Sequence, residues 1–215
     1  MRISRSVPLI AISLLAAAPA SAQAVRYRLE PGETRISFDA SATMGRFSGR
    51  ARRTSGWAEV GDATTLAGTR GEIHVDAASF GTGVALRNRH LRDEMETEKY
   101  PWIRFVLDRV EPSSRGGAAT LHGRLTIKAT TREVAIPAMI GLAGDTLVVD
   151  GQLPAKFTEY GMRPPSRLGG ATRVRDDLLL RFHAVFVRAD ARSSAPRKPS
   201  RTLAMDPPGA PHRPR

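Results

Sequence analysis

Thr120-Leu121-His122-Gly123-Arg124-Leu125-Thr126-Ile127-Lys128 alternates between apolar and polar side chains. In an extended chain, successive side chains point to opposite faces. Leu121, Leu125 and Ile127 therefore share one face, and His122, Arg124 and Lys128 the other. A helix would scatter both sets around its circumference. The same period recurs in Arg35–Asp39 (RISFD), Glu72–Asp76 (EIHVD) and Glu133–Ile136 (EVAI). Ile103–Val110 and Leu147–Leu153 read as further strands, the second with Gly151 inside it. Asp177–Ala189 is the longest. It sets Leu178, Leu180, Phe182, Ala184 and Phe186 on one side and Arg181, His183, Val185 and Val187 on the other. Breaks such as Glu111-Pro112-Ser113-Ser114-Arg115-Gly116-Gly117 separate the runs as hairpin loops do.

Strands with one apolar and one wet face need a second layer or closure. A sheet of about eight strands can close on itself, remove its edges and enclose side chains or one small ligand. The reading is therefore all-β, an antiparallel barrel of about eight strands, with a β-sandwich as the alternative from periodicity alone. Ala85–Lys99 (ALRNRHLRDEMETEK) differs: it is rich in helix formers and charge, and Pro101 would end it. It reads as a short helix or crossover in which Leu86, Leu91 and Met95 could share a face.

The ends carry different signals. Residues 1–22 combine Arg2 and Arg5, a short apolar run and the small-x-small site Ala20-Ser21-Ala22, the layout of a cleaved secretory signal peptide. The run is too short and interrupted for a membrane span. The mature protein is thus expected in the periplasm or outside the cell. Residues 190–215 hold six of the 15 prolines and read as a disordered basic tail. The domain between, 23–189, carries 25 basic and 19 acidic side chains, so about half of the net charge of +12 lies outside it. The absence of Cys excludes disulfides, thiolate metal sites and a cysteine nucleophile.

Catalytic signatures are sparse. There is no dinucleotide fingerprint, P-loop, nucleophile elbow or zincin motif. His90, Glu94 and Glu98 fall at i, i+4 and i+8. One His with two carboxylates is thin for a metal site, because zinc usually takes several His or Cys ligands. No catalytic residue, metal or cofactor is assigned. The basic run Arg46, Arg50, Arg52 and Arg53 lacks the interleaved aromatics that nucleic-acid stacking needs. A charged outer barrel face explains it, and no nucleic-acid partner is expected.

Residues 78–105, ASFGTGVALRNRHLRDEMETEKYPWIRF, resemble the central signature of the YceI-like family of exported polyisoprenoid-binding proteins. Ser79, Thr82-Gly83, Arg87, His90-Leu91, Tyr100-Pro101, Ile103 and Phe105 occupy its places, while Asn88 stands where an Asp often follows the Arg. Gly123-Arg124-Leu125-Thr126-Ile127 with Thr131, and Tyr160-Gly161-Met162 with Pro164-Pro165-Ser166, are similar to two further family motifs. The resemblance implies a lipocalin-like barrel with a long apolar cavity and an amphiphilic lipid ligand, quinone-like or polyprenyl, with no enzymatic activity. Expected cavity-lining residues are Phe38, Phe47, Trp57, Leu91, Met95, Trp102, Phe105, Leu125, Phe182 and Phe186. Arg87, His90 and Tyr100 are expected to form a structural polar cluster. Transient contact with a membrane surface and a homodimer are left open. The rival readings are a lipid-processing enzyme using His90 with Asp93 or Glu94, and a filled barrel serving as an interaction module.

Overall fold

The computed structural model describes residues 24–190 except 44, 165 and 168–171. The expected signal peptide, and the tail beyond Asp190, lie outside the described residues. The strands are β1 (Val25–Leu29), β2 (Arg35–Ala42), β3 (Gly45–Arg50), β4 (Thr54–Val60), β5 (Arg70–Asp76), β6 (Trp102–Pro112), β7 (Ala118–Ile127), β8 (Thr130–Ala143), β9 (Thr146–Lys156), β10 (Ser166–Arg167) and β11 (Thr172–Arg188). One α-helix, α1 (Ala85–Met95), lies between β5 and β6.

Every strand pairing is antiparallel. The order β1-β4-β5-β6-β7-β8-β9-β11 closes on itself through β1–β11, giving the eight-stranded, lipocalin-like barrel expected. The long β11 makes closure work. Its C-terminal end pairs with β1 (Leu29↔Phe186), and its N-terminal part pairs with β2 (Arg35↔His183). Residues 30–34 of the first segment stand opposite only Ala184 and Val185. The first two strands thus form one bent ribbon with an excursion at the bend. Buried Thr34 fixes it: its hydroxyl donates to the Val185 carbonyl (3.4 Å) and accepts the Val185 N–H (3.1 Å).

The alternation survives in detail. Along β7, Ala119, Leu121, Gly123, Leu125 and Ile127 are buried, and none of the residues between them is. Three interior phenylalanines lie over glycines of the neighbouring strand. A β-carbon on Gly49 would overlap the Phe38 ring, one on Gly151 the Phe182 ring, and one on Gly123 the Phe105 ring. The histidines at 74, 122 and 183 face outward, beside Glu72 (2.6 Å), Glu111 (2.9 Å) and Asp150 (2.7 Å).

The helix is shorter than expected. It stops at Met95, because Glu96 takes a left-handed conformation (φ 48°) and its N–H turns back to the Asp93 carbonyl at 3.1 Å. Lys128, in the two-residue turn between β7 and β8, secures that end. Its ammonium donates to the Glu94 carbonyl (3.0 Å) and pairs with the Glu96 carboxylate (2.6 Å). Leu86, Leu91 and Met95 do not share a face. At about 100° per residue, Leu86 points roughly opposite Met95. Leu86 is 56% exposed and Met95 only 5%.

Gly151→Val is expected to displace the Phe182 ring and cost about 1–3 kcal/mol of stability by overpacking. Thermal unfolding followed by circular dichroism should show a Tm lowered by about 3–10 °C. Gly141→Val is the control, since a β-carbon there meets nothing within 4 Å.

Candidate functional site: an apolar cavity and the groove at its mouth

The inward residues of the closed barrel do not fill it. They enclose a cavity of about 150 Å³. Packed interiors hold few voids larger than a water. An apolar cavity of about this size stays dry and takes up a benzene-sized group. The wall is built by Ile73 and Val75 of β5, Ile103, Phe105 and Leu107 of β6, Leu121, Leu125 and Ile127 of β7, and Leu180, Phe182 and Phe186 of β11.

A second space opens at the helix end. It is a groove of about 470 Å³ between the tips of β2 and β3, helix α1, Phe157, Met162 and Val174. Its apolar side is Phe38, Phe47, Val84, Leu86 and Leu91; its polar groups are Arg46, Thr82, Arg87, His90 and Glu94. Phe80 lines the inner cavity and Phe38 the groove, with ring centroids 5.6 Å apart. The two rings therefore stand as a partition between cavity and groove. Phe47 meets Phe38 edge-on at 6.2 Å and carries the Arg87 guanidinium 4.6 Å above its face. That cation–π contact lets a charged group lie over an apolar floor.

The structure thus sorts the sequence candidates. Phe105, Leu125, Phe182 and Phe186 are on the inner wall. Phe38, Phe47 and Leu91 are on the groove. Met95 is buried in the core cluster beneath it. Trp57 also borders the inner cavity, whereas Trp102 sits elsewhere. Ala58 and Val60 are the buried positions of β4, and the partly buried Trp57 has the Arg26 guanidinium 5.0 Å over its ring. Trp102 is 50% exposed at the start of β6, edge-on to His74 at 6.2 Å. The polar trio is also divided. Arg87 and His90 share the groove, while Tyr100 lies under the Lys99 ammonium, 5.0 Å from its ring centre.

The sequence reading did not assign several groove residues to the ligand site: Arg46, Thr82, Val84, Glu94, Phe157 and Met162. Asn88 has a local role. Its side-chain oxygen accepts the Thr82 N–H (2.8 Å) and hydroxyl (2.7 Å), tying the loop to the helix. Ser79 does the same on the other flank, accepting the Arg52 and Arg53 N–H groups at 3.2 Å each. The Glu94 carboxylate accepts the Arg163 N–H, which closes the groove's far side. Among the described residues no cluster of three metal-ligating side chains occurs.

Fold and site together define a small closed β-barrel with an apolar interior and an amphiphilic mouth. The chain belongs to the YceI-like domain family, which matches residues 27–186. Among solved structures, it is similar to Burkholderia cenocepacia BcnA, at 23% identity and TM-score 0.66, over 73% of this chain and 98% of that one. A polyisoprenoid binding domain from Saccharophagus degradans, implicated in plant cell wall breakdown, gives 15% identity and TM-score 0.61, over 76% and 99%. The YCEI protein of Campylobacter jejuni gives 18% and 0.54, over 64% and 82%. No curated protein sequence matches the chain.

The groove depends on the helix anchor, and the anchor depends on charge. The Lys128 ammonium holds the Glu96 carboxyl below its ordinary 4.5. Arg104, with His74, holds Glu72 down, and the Thr158 hydroxyl and N–H hold Asp176 down. Groups with lowered folded values contribute stability above about pH 4.5 and lose it as pH falls through those values. Lys128→Met is expected to flatten that acid dependence between about pH 5 and pH 3. It should also speed amide exchange at residues 92–97, and a variant with unchanged exchange would deny Lys128 its anchoring role.

Proposed function

We propose that the protein is an exported carrier that holds one amphiphilic, isoprenoid-type lipid. Its tail occupies the inner cavity, and its head lies in the groove beside Arg87 and His90. The observation that carries this reading is the unfilled apolar interior of a closed barrel, continued across two phenyl rings into a groove with polar groups at its rim. Each methylene moved from water into such an interior contributes about 0.8 kcal/mol. A tail therefore needs no polar contacts along its length, and the polar groups at the mouth orient the head. A tail longer than the inner cavity must pass the Phe38–Phe80 partition, so one chain of ligand spans both spaces. The family membership and the polyisoprenoid binding domain among its structural relatives support the same class of ligand. The signal-peptide pattern of residues 1–22 supports a periplasmic or secreted site of action.

The test is native mass spectrometry of the mature protein purified from its own cells, with organic extraction of what it holds. About one isoprenoid lipid per chain is expected. Leu125→Trp, which fills the inner cavity, should lower occupancy at least tenfold, whereas His90→Ala should keep the lipid if the protein stays folded. An empty protein that also fails to take up added polyprenyl quinones would sink the carrier reading.

A further inference from the structure

Eight arginines of the barrel wall are in ion pairs, while Arg28, Arg35 and Arg50 show none among the described residues. Arg53 pairs with Asp76 (2.6 Å), Arg70 with Glu59 (2.8 Å), Arg124 with Asp108 (2.9 Å) and Arg181 with Asp39 (3.3 Å). At the mouth the pattern breaks. Arg46 and Arg87 line the groove, Arg89 is exposed on α1, and Arg163 and Arg173 are the exposed neighbours of groove residues Met162 and Val174. None of these five makes an ion pair among the described residues. The acidic groove residue, Glu94, is taken by the Arg163 N–H. Between these cations, Val84 and Leu86 stand 46% and 56% exposed at the start of α1. They are two of the four large hydrophobic residues that the described surface exposes.

We propose that this end of the barrel, Val84 and Leu86 ringed by Arg46, Arg89, Arg163 and Arg173, docks onto a membrane surface bearing anionic headgroups. This rests on the carrier reading, since docking at the mouth lets a lipid tail pass between bilayer and cavity without crossing water. The chemistry is complementary on both counts. Apolar side chains set in a basic rim enter the interface between headgroups and acyl chains. Each arginine near an anionic surface adds about a fivefold preference. The site already carries an apolar lining that continues inward, so a lipid surface fits it better than a folded polar partner does.

The experiment is cosedimentation of the full mature chain with phosphatidylcholine vesicles, with and without a quarter of phosphatidylglycerol. Anionic vesicles should bind the protein at least tenfold more tightly than neutral ones, with the preference falling as salt rises. Arg89→Glu with Arg173→Glu, and separately Val84→Asp with Leu86→Asp, should each lower binding to anionic vesicles at least tenfold. Arg28→Glu with Arg115→Glu, on the wall and at the opposite end, should change it less than threefold. Equal losses in all three variants would reduce the effect to net charge and overturn the proposal. So would mouth variants that bind as the parent does, which would place contact on another segment. Lipid uptake from detergent micelles, read by mass spectrometry, is measured in parallel. Arg89→Glu with Arg173→Glu should retain it. Uptake failing in the parent while mouth-dependent vesicle binding persists would refute the carrier reading and leave docking standing.

Discussion

The backbone ladder along β11 is the constraint on which the rest of the structure depends. One strand, Thr172–Arg188, has β9 on one side and both β1 and β2 on the other. Without it the sheet would be open, with an unpaired edge and an interior exposed to water. The cost of using one strand for two partners is the excursion at residues 30–34. The Val185 N–H at its heart would be buried unpaired if the Thr34 hydroxyl did not accept it, while the Val185 carbonyl takes the Glu30 N–H (2.8 Å) as well as the Thr34 hydroxyl. The same bend releases β2 and β3 from the ring, so that their tips project beyond it and form one wall of the groove.

Closure explains the cavity, but not by itself. Eight strands give an interior that side chains can fill. Here glycines at 49, 123 and 151 leave room for the Phe38, Phe105 and Phe182 rings against the neighbouring strand. Phe105 and Phe182 line a cavity that the inward side chains leave open. The Phe38–Phe80 pair then divides the vacancy, leaving the inner part apolar and the outer part in reach of Arg46, Arg87 and His90. A site with one greasy end and one polar end follows from where glycine permits a ring to lie.

Much of this was legible in the sequence, and the failures have physical causes. Strands with large residues facing inward, such as β7 and β11, announced themselves by alternation. Strands β1, β3 and β4 did not, because they are short or place Gly and Ala inward. In β4 the buried positions are Ala58 and Val60, and the largest side chain, Trp57, is only partly buried at the cavity's border. Reading size as burial failed at Trp102, which begins its strand half exposed. The helix end was misplaced because Glu96 in a left-handed conformation leaves no mark that Pro101 does not outweigh. The groove joins residues from five segments, and no local pattern links Arg46 with Glu94 or Met162. Arg87, His90 and Leu91 were found there through a motif that lies on one of its walls, and Phe38 and Phe47 as expected lining aromatics.

The barrel's central property is an interior kept open for a hydrocarbon chain. A crystal structure of the protein loaded with a polyprenyl quinone tests this most directly. Continuous density is expected from the space between Phe105, Leu125 and Phe182, past Phe38 and Phe80, to a head beside Arg87. An interior collapsed onto itself, with the lipid bound on the outer wall near Met139 and His183, would contradict it.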